Sequence, residues 1–190
     1  MSNIEALECG AFELQPTLVG KTITLRPIVH GDAEDLYRAA SDPLIWKLHP
    51  DPLRYQREVF QRNFLEGALA SKSAFVVLEN ASQQIIGSSR FYNLEEKNRE
   101  IAIGFTFLVR KHWGGATNVE MKSLMLKHAF RYVDTAWFHV GLQNWRSRRA
   151  MEKIGGTFMH EGAVVINGRA SEHAFYKMAA ADFAIRQDGY

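Results

Sequence analysis

The chain has 190 residues, 46% hydrophobic and 23% charged, which excludes a disordered chain and suits one soluble domain with a sizeable core. A formal net charge of only +2 argues against a dedicated nucleic-acid binder, though it allows a local basic patch. The single cysteine, Cys9, excludes an intrachain disulfide and a zinc site built on several cysteines.

In chain order, TITLRP at 22–27 alternates and ends at a proline, as a first strand would. Asp32 reads as the N-cap of a helix over AEDLYRAA, with Asp35 completing a capping-box variant. Asp-Pro pairs at 42–43 and 51–52 break the chain. A second helix is expected over about RYQREVFQRNFLEGALA, where Tyr55, Val59, Phe60 and Phe64 fall near helical spacing. AFVVLE at 74–79 and QIIGSSRFY at 84–92 read as strands joined by the turn NASQ. EIAIGFTFLV at 100–109 is a further strand, and its odd positions from Ile101 to Val109 form one apolar face of period two.

RKHWGGATNVEMK follows at 110–122, and its glycines admit two readings. One is a tight turn that caps a helix. The other is an anion site, because a helix N-terminus offers unpaired N–H groups and glycines allow close approach. The helix starting near Ala116 turns Met121, Leu124, Met125, His128 and Ala129 to one side, with His128 as a hydrogen-bonded core or boundary residue. WFHVGL at 137–142 reads as a strand, and WRSRRAMEK at 145–153 as a short helix stopped by Gly155 and Gly156. Two last strands, TFMHEGAVVI and RASEHAFYKM, flank the hairpin pair Asn167-Gly168. This order of elements predicts an α+β sandwich rather than a doubly wound sheet.

WGGATNVEMKSLMLKHAF at 113–130 and NWRSRRAMEKIGG at 144–156 resemble the GNAT superfamily of acetyl-CoA-dependent N-acetyltransferases. The nearer likeness is to its RimJ/RimL-like branch, over roughly residues 20–180. In the second motif Asn144, Ser147, Ala150, Glu152, Lys153 and Gly155 all fall in register. In the first, Ala116 stands for the second glycine, Asn118 for the usual alanine and Lys111 for the usual Gln or Arg.

The resemblance implies one N-acetyltransferase domain over 1–190, with a central, mostly antiparallel, splayed sheet flanked by helices. Backbone N–H groups of Gly114, Gly115, Ala116, Thr117 and Asn118 would hold the pyrophosphate of acetyl-CoA. Arg110 and Lys111 would supply cations, or else form a solvated charge pair at a strand end. The acyl arm would lie along the strand ending at Val109, and a free N–H among Phe107, Leu108 and Val109 would polarise the thioester carbonyl. Asn144 would hydrogen-bond the pantetheine arm while capping the helix that starts at Trp145.

Transfer to an amine also needs a base, and an acid for the leaving sulfur. Where many superfamily members have a tyrosine acid this chain has Met151, which leaves Ser147 on that helix; its other reading is a first-turn residue bonding backbone. Glu100, at the start of the central strand, is the candidate base through a water, or a surface carboxylate. His139, His173 and Glu120 read as structural.

The expected reaction is direct acetyl transfer to a protein N-terminal amine or a small-molecule amine in a ternary complex. No metal takes part, and Cys9 lies outside every motif. The rival readings are a non-catalytic acyl-CoA-binding module and nucleic-acid binding through NWRSRR at 144–149, which the low net charge disfavours. No apolar run reaches membrane-spanning length, and Glu5, Glu8 and Glu13 interrupt any leader. The expected setting is a cytoplasmic monomer or homodimer.

Overall fold

The computed structural model describes residues 11–166 and 168–187, so Cys9 and Asn167 lie outside the described residues. The chain runs through β1 (Leu18–Val19), β2 (Ile23–Pro27), α1 (Ala33–Ala40), α2 (Pro43–Trp46), α3 (Arg57–Phe60) and α4 (Glu66–Ser71). A meander follows, of β3 (Ala74–Glu79), β4 (Ile85–Glu95) and β5 (Glu100–Leu108). Then come α5 (Ala116–Ala129), β6 (Thr135–Gly141), α6 (Trp145–Ile154), β7 (Thr157–Ile166), β8 (Arg169–Ala179) and α7 (Ala180–Gln187). The strands form one sheet in the order β1-β2-β3-β4-β5-β6-β8-β7, antiparallel throughout except where β5 meets β6. This is the expected α+β sandwich. No helix among the described residues is long and apolar enough to cross a membrane.

Two apolar layers cover the two faces of the sheet. Met121, Met125 and Leu126 of α5 pack with Ile23, Phe75, Ile101 and Phe138 on one face, while Trp46, Phe60 and Phe64 pack with Val76 and Phe107 on the other. β3 shows why: Phe75 and Val77 go to the first layer, Ala74 and Val76 to the second, as the two-residue period of a strand requires. His128 is buried and its Nε2 lies 2.7 Å from the Glu13 carbonyl oxygen, the hydrogen-bonded core role expected of it. Glu120 accepts from the N–H and hydroxyl of Thr22, which ties α5 to the start of β2.

Local chemistry departs from the sequence reading at four points. Asp32 does not cap α1; its carboxylate takes the Val29 N–H at 2.8 Å and a two-pronged ion pair from Arg26 at 2.7 and 2.8 Å. Asp42 does more than break the chain, because its side chain caps α2 through the Leu44 N–H. The long second helix starts at Arg57 and carries a π turn over Gln61–Leu65 between α3 and α4.

The fourth departure bears most on function. The alternation along β5 does not persist to Val109: Phe105 adopts a left-handed conformation (φ 50°), and the β4–β5 register shifts opposite it. An extra residue in one strand reverses the parity of everything beyond it. Ile101, Ile103 and Leu108 therefore face the α5 layer, and Phe107 faces the other.

Candidate active site

β5 and β6 stay paired for three residues only, Glu100 with Thr135, Ile101 with Ala136 and Ala102 with Trp137. Beyond Ala102 each strand keeps its other neighbour, β5 with β4 as far as Leu108 and β6 with β8 as far as Gly141. The two strands thus diverge, and a cavity of about 770 Å³ opens between them, within the size range of small-molecule sites.

Phe107, Leu108, Gly114, Gly115, Asn118, Asn144 and Ser147 all line this cavity. The Val109 N–H is taken by the Ile86 carbonyl at 2.8 Å, so strand alternation turns the Leu108 N–H to the opposite edge, toward the gap. The Leu108 carbonyl accepts the Trp113 indole N–H at 2.9 Å, and the Arg146 guanidinium stacks 3.7 Å above that indole. One wall of the cleft is thereby locked to the strand.

Gly114 needs its glycine because its φ is +69°, a region that L side chains rarely adopt. Ala116 carries no positive φ and serves as the first residue of α5, so the alanine is no obstacle there. Gly115 occupies the N-cap position with no side-chain cap, and a Cβ on it would meet nothing within 4 Å. The first N–H groups of α5 therefore lack a capping side chain and open onto a clear space, as an anionic ligand needs. Thr117 is turned to His112, with Oγ1 3.1 Å from Nδ1. At the next helix the Asn144 side-chain oxygen caps α6 through the Ser147 N–H at 3.2 Å, and the residue is only 3% exposed.

Other expected residues lie elsewhere. Arg110 is paired with Asp42, and Lys111 sits 3.3 Å from Glu79; neither lines the cavity. Arg149 and Lys153 of α6, by contrast, line the cavity. Glu100 sits at the closed end of the divergence, paired with Thr135. Leu108 is eight positions on, past the Phe105 bulge at the other end of the strand, so Glu100 is too remote for proton transfer at the open end. His173 is buried with Nδ1 2.8 Å from the Ser171 carbonyl oxygen, and His139 packs between Tyr92 and Phe175.

Several lining groups hold no position that either motif marks. Lys122 of α5 is 2% exposed; its Nζ donates to Thr106 Oγ1 at 2.8 Å and lies 3.4 Å from Ser89 Oγ. Burial lowers its pKa to about 7. A signal existed, because positions 122, 125, 126 and 129 are Lys, Met, Leu and Ala, a lysine inside an apolar helical stripe. Arg54, Arg90, His49 and Tyr92 also line the cavity and had no motif to mark them. Burial lowers the His49 pKa to about 3, assisted by Arg54 and Arg146, and burial with His173 and His160 lowers that of His139 to about 4. Both imidazoles are neutral at physiological pH.

A family model described as an acetyltransferase (GNAT) domain matches residues 22–157. Among solved structures the chain is similar to a GCN5-related N-acetyltransferase from Brucella melitensis, with TM-score 0.79, 20% identity, and 93% of this chain and 84% of that one covered. A probable GNAT-family acetyltransferase from Chromobacterium violaceum superposes with TM-score 0.78 at 18% identity, covering 97% and 94%. Mycobacterium smegmatis RimJ, solved in complex with CoA-disulfide, superposes with TM-score 0.64 at 17% identity, covering 88% and 86%. At these identities the structures speak to the fold alone. Curated proteins return no match.

Proposed function

This chain belongs to the GNAT acetyltransferase family, and from that premise we propose that it is an acetyl-CoA-dependent N-acetyltransferase of the RimJ/RimL-like kind. It passes the acetyl group to a primary amine by direct attack within a ternary complex. One observation carries the reading: the gap between β5 and β6 opens directly onto the uncapped start of α5, in a single cavity.

In this reading the N–H groups of Gly114 to Asn118 hold the pyrophosphate, with Arg149 and Lys153 as the neighbouring cations. Asn144 has its side-chain oxygen committed to the cap and offers its amide NH2 to the pantetheine arm. The Leu108 N–H polarises the thioester carbonyl and stabilises the oxyanion that forms on attack. Ser147 donates a hydrogen bond to the departing sulfur.

Lys122 takes the base role in place of Glu100. With its pKa lowered to about 7, a sizeable fraction of its amine is neutral at physiological pH, and Thr106 holds the group at the cavity wall. A buried, uncharged amine at that position accepts the proton lost by the attacking amine.

The test has two parts. Coenzyme A should raise the melting temperature: at roughly a hundredfold excess over Kd the gain is about 2.7 kcal/mol, or roughly 5–10 °C for a chain of this size. Acetyl-CoA with a panel of amines should then release free thiol. A melting shift without thiol release from any amine would favour the non-catalytic binding module; no shift at all would reduce the glycine pair to a turn.

A further inference from the structure

We propose that the acceptor amine carries an anionic group, a carboxylate or a phosphate, which Arg54 and Arg90 receive in the arm of the cavity beneath the π turn. This rests on the acetyltransferase reading and names its substrate class. Among the described residues no carboxylate side chain lines the cavity. Cations do: Arg62 of the π turn and both of these arginines reach it from the side of the sheet opposite α5.

Both guanidinium groups are short of partners. The Arg54 side chain is 6% exposed and lies against the rings of Trp46 and Phe64. Its Nε stands 3.4 Å from Asp51 but makes no hydrogen bond, and the same carboxylate accepts from Asn63 at 2.8 Å. Arg90 stacks 3.5 Å over the Phe105 ring and donates one Nη to the Gly67 carbonyl at 2.7 Å, while its Nε is buried with no partner. Burial and then the repulsion of Arg54 lower the Arg90 pKa to about 10. Arg54 withdrawn from water with Asp51 beside it, and Arg90 half-buried with no ion pair among the described residues, carry a desolvation cost, which an anionic ligand would offset. Their planar forks also match a carboxylate or phosphate.

These arginines are not the phosphate site of coenzyme A. Arg90 pairs with Gly104, on the far side of the Phe105 bulge from Val109 and the glycine turn, and it donates to Gly67 on the face opposite α5. The same positive field repels an ammonium, so it favours the neutral amine as the bound form and rejects polycations. The chemistry balances without a further reactant: the N–C bond forms as the C–S bond breaks, and the amine's proton ends on the thiol.

Matched acceptors test this: glycine against glycinamide, phosphoethanolamine against ethanolamine, and spermidine as a polycation, each with acetyl-CoA. At least one anionic member should exceed its neutral partner in kcat/KM by tenfold or more, and whichever pair shows the ratio identifies carboxylate or phosphate. Arg90→Gln and Arg54→Gln should each cut that ratio about tenfold while the melting shift with coenzyme A persists. Should Arg54→Gln not fold, Arg90→Gln, at a half-buried position, carries the comparison. Neutral partners or spermidine used equally well, ratios unchanged in the variants, or coenzyme A binding with no thiol release would each overturn the inference. Acetylation without an anionic preference leaves the acetyltransferase reading standing; absence of both melting shift and thiol release removes that reading first and this one with it.

Discussion

The two arms of the cavity are built on opposite principles. The arm at the start of α5 is mostly backbone: a left-handed Gly114, an uncapped Gly115 and the N–H groups that follow them. It comes from one continuous stretch, with α6 laid beside it. The arm under the π turn is mostly side chain, drawn from Arg54, Arg62, Arg90 and Tyr92 across several elements. A backbone site tolerates many residue types but not a bulky or negative intruder, whereas a side-chain site changes with each substitution. The first arm suits an invariant ligand and the second a particular acceptor.

The sharpest break in this comparison is Gly115→Glu. It puts a carboxylate where the open space now faces the first turn of α5, and it should abolish the melting shift with coenzyme A, provided circular dichroism shows the variant folded. Lys122→Met, at the wall between the arms, should lower kcat by about 10²–10⁴-fold, the range for losing a positioned base. The rise of kcat with pH near 7 should go with it; a variant that keeps both rate and pH profile removes Lys122 from the chemistry.

The same substitution has a separate stability readout. A lysine pKa lowered from 10.5 to about 7 on folding means that the unfolded chain binds more protons between those values, so stability rises with pH across that window. Below pH 7 both states are charged and the full burial cost is present. Lys122→Met should therefore be more stable than the parent at pH 7, by something on the order of 3–5 kcal/mol, with the difference shrinking as pH approaches 10.5.

Smaller effects follow. Ser147→Ala should lower kcat by about tenfold, the worth of one neutral hydrogen bond made to the leaving group, with coenzyme A affinity nearly intact. Equal turnover would leave Ser147 as a helix residue only. Glu100→Gln should leave the pH–rate profile unchanged, because the residue sits at the closed end of the divergence. A weakened rate at low pH would return it to the mechanism.

The sequence by itself determined what depends on neighbours along the chain. β3 and β7 fall on their expected residues because alternation and flanking turns are local signals, and α1 begins where expected although Asp32 does not cap it. The glycine turn was equally legible, since a positive φ or a clear approach restricts residue type at that very position. Tertiary structure alone decided the rest. Nothing in EIAIGFTFLV signals that Phe105 turns left-handed and reverses the strand's faces, because a bulge is set by the pairing with β4. Nor does Arg54 or Arg90 carry a local mark, for each is ordinary until folding withdraws it from water. Whether a charge is solvated or buried is a property of what surrounds it, so the arginine-lined arm came into view only once the chain was folded.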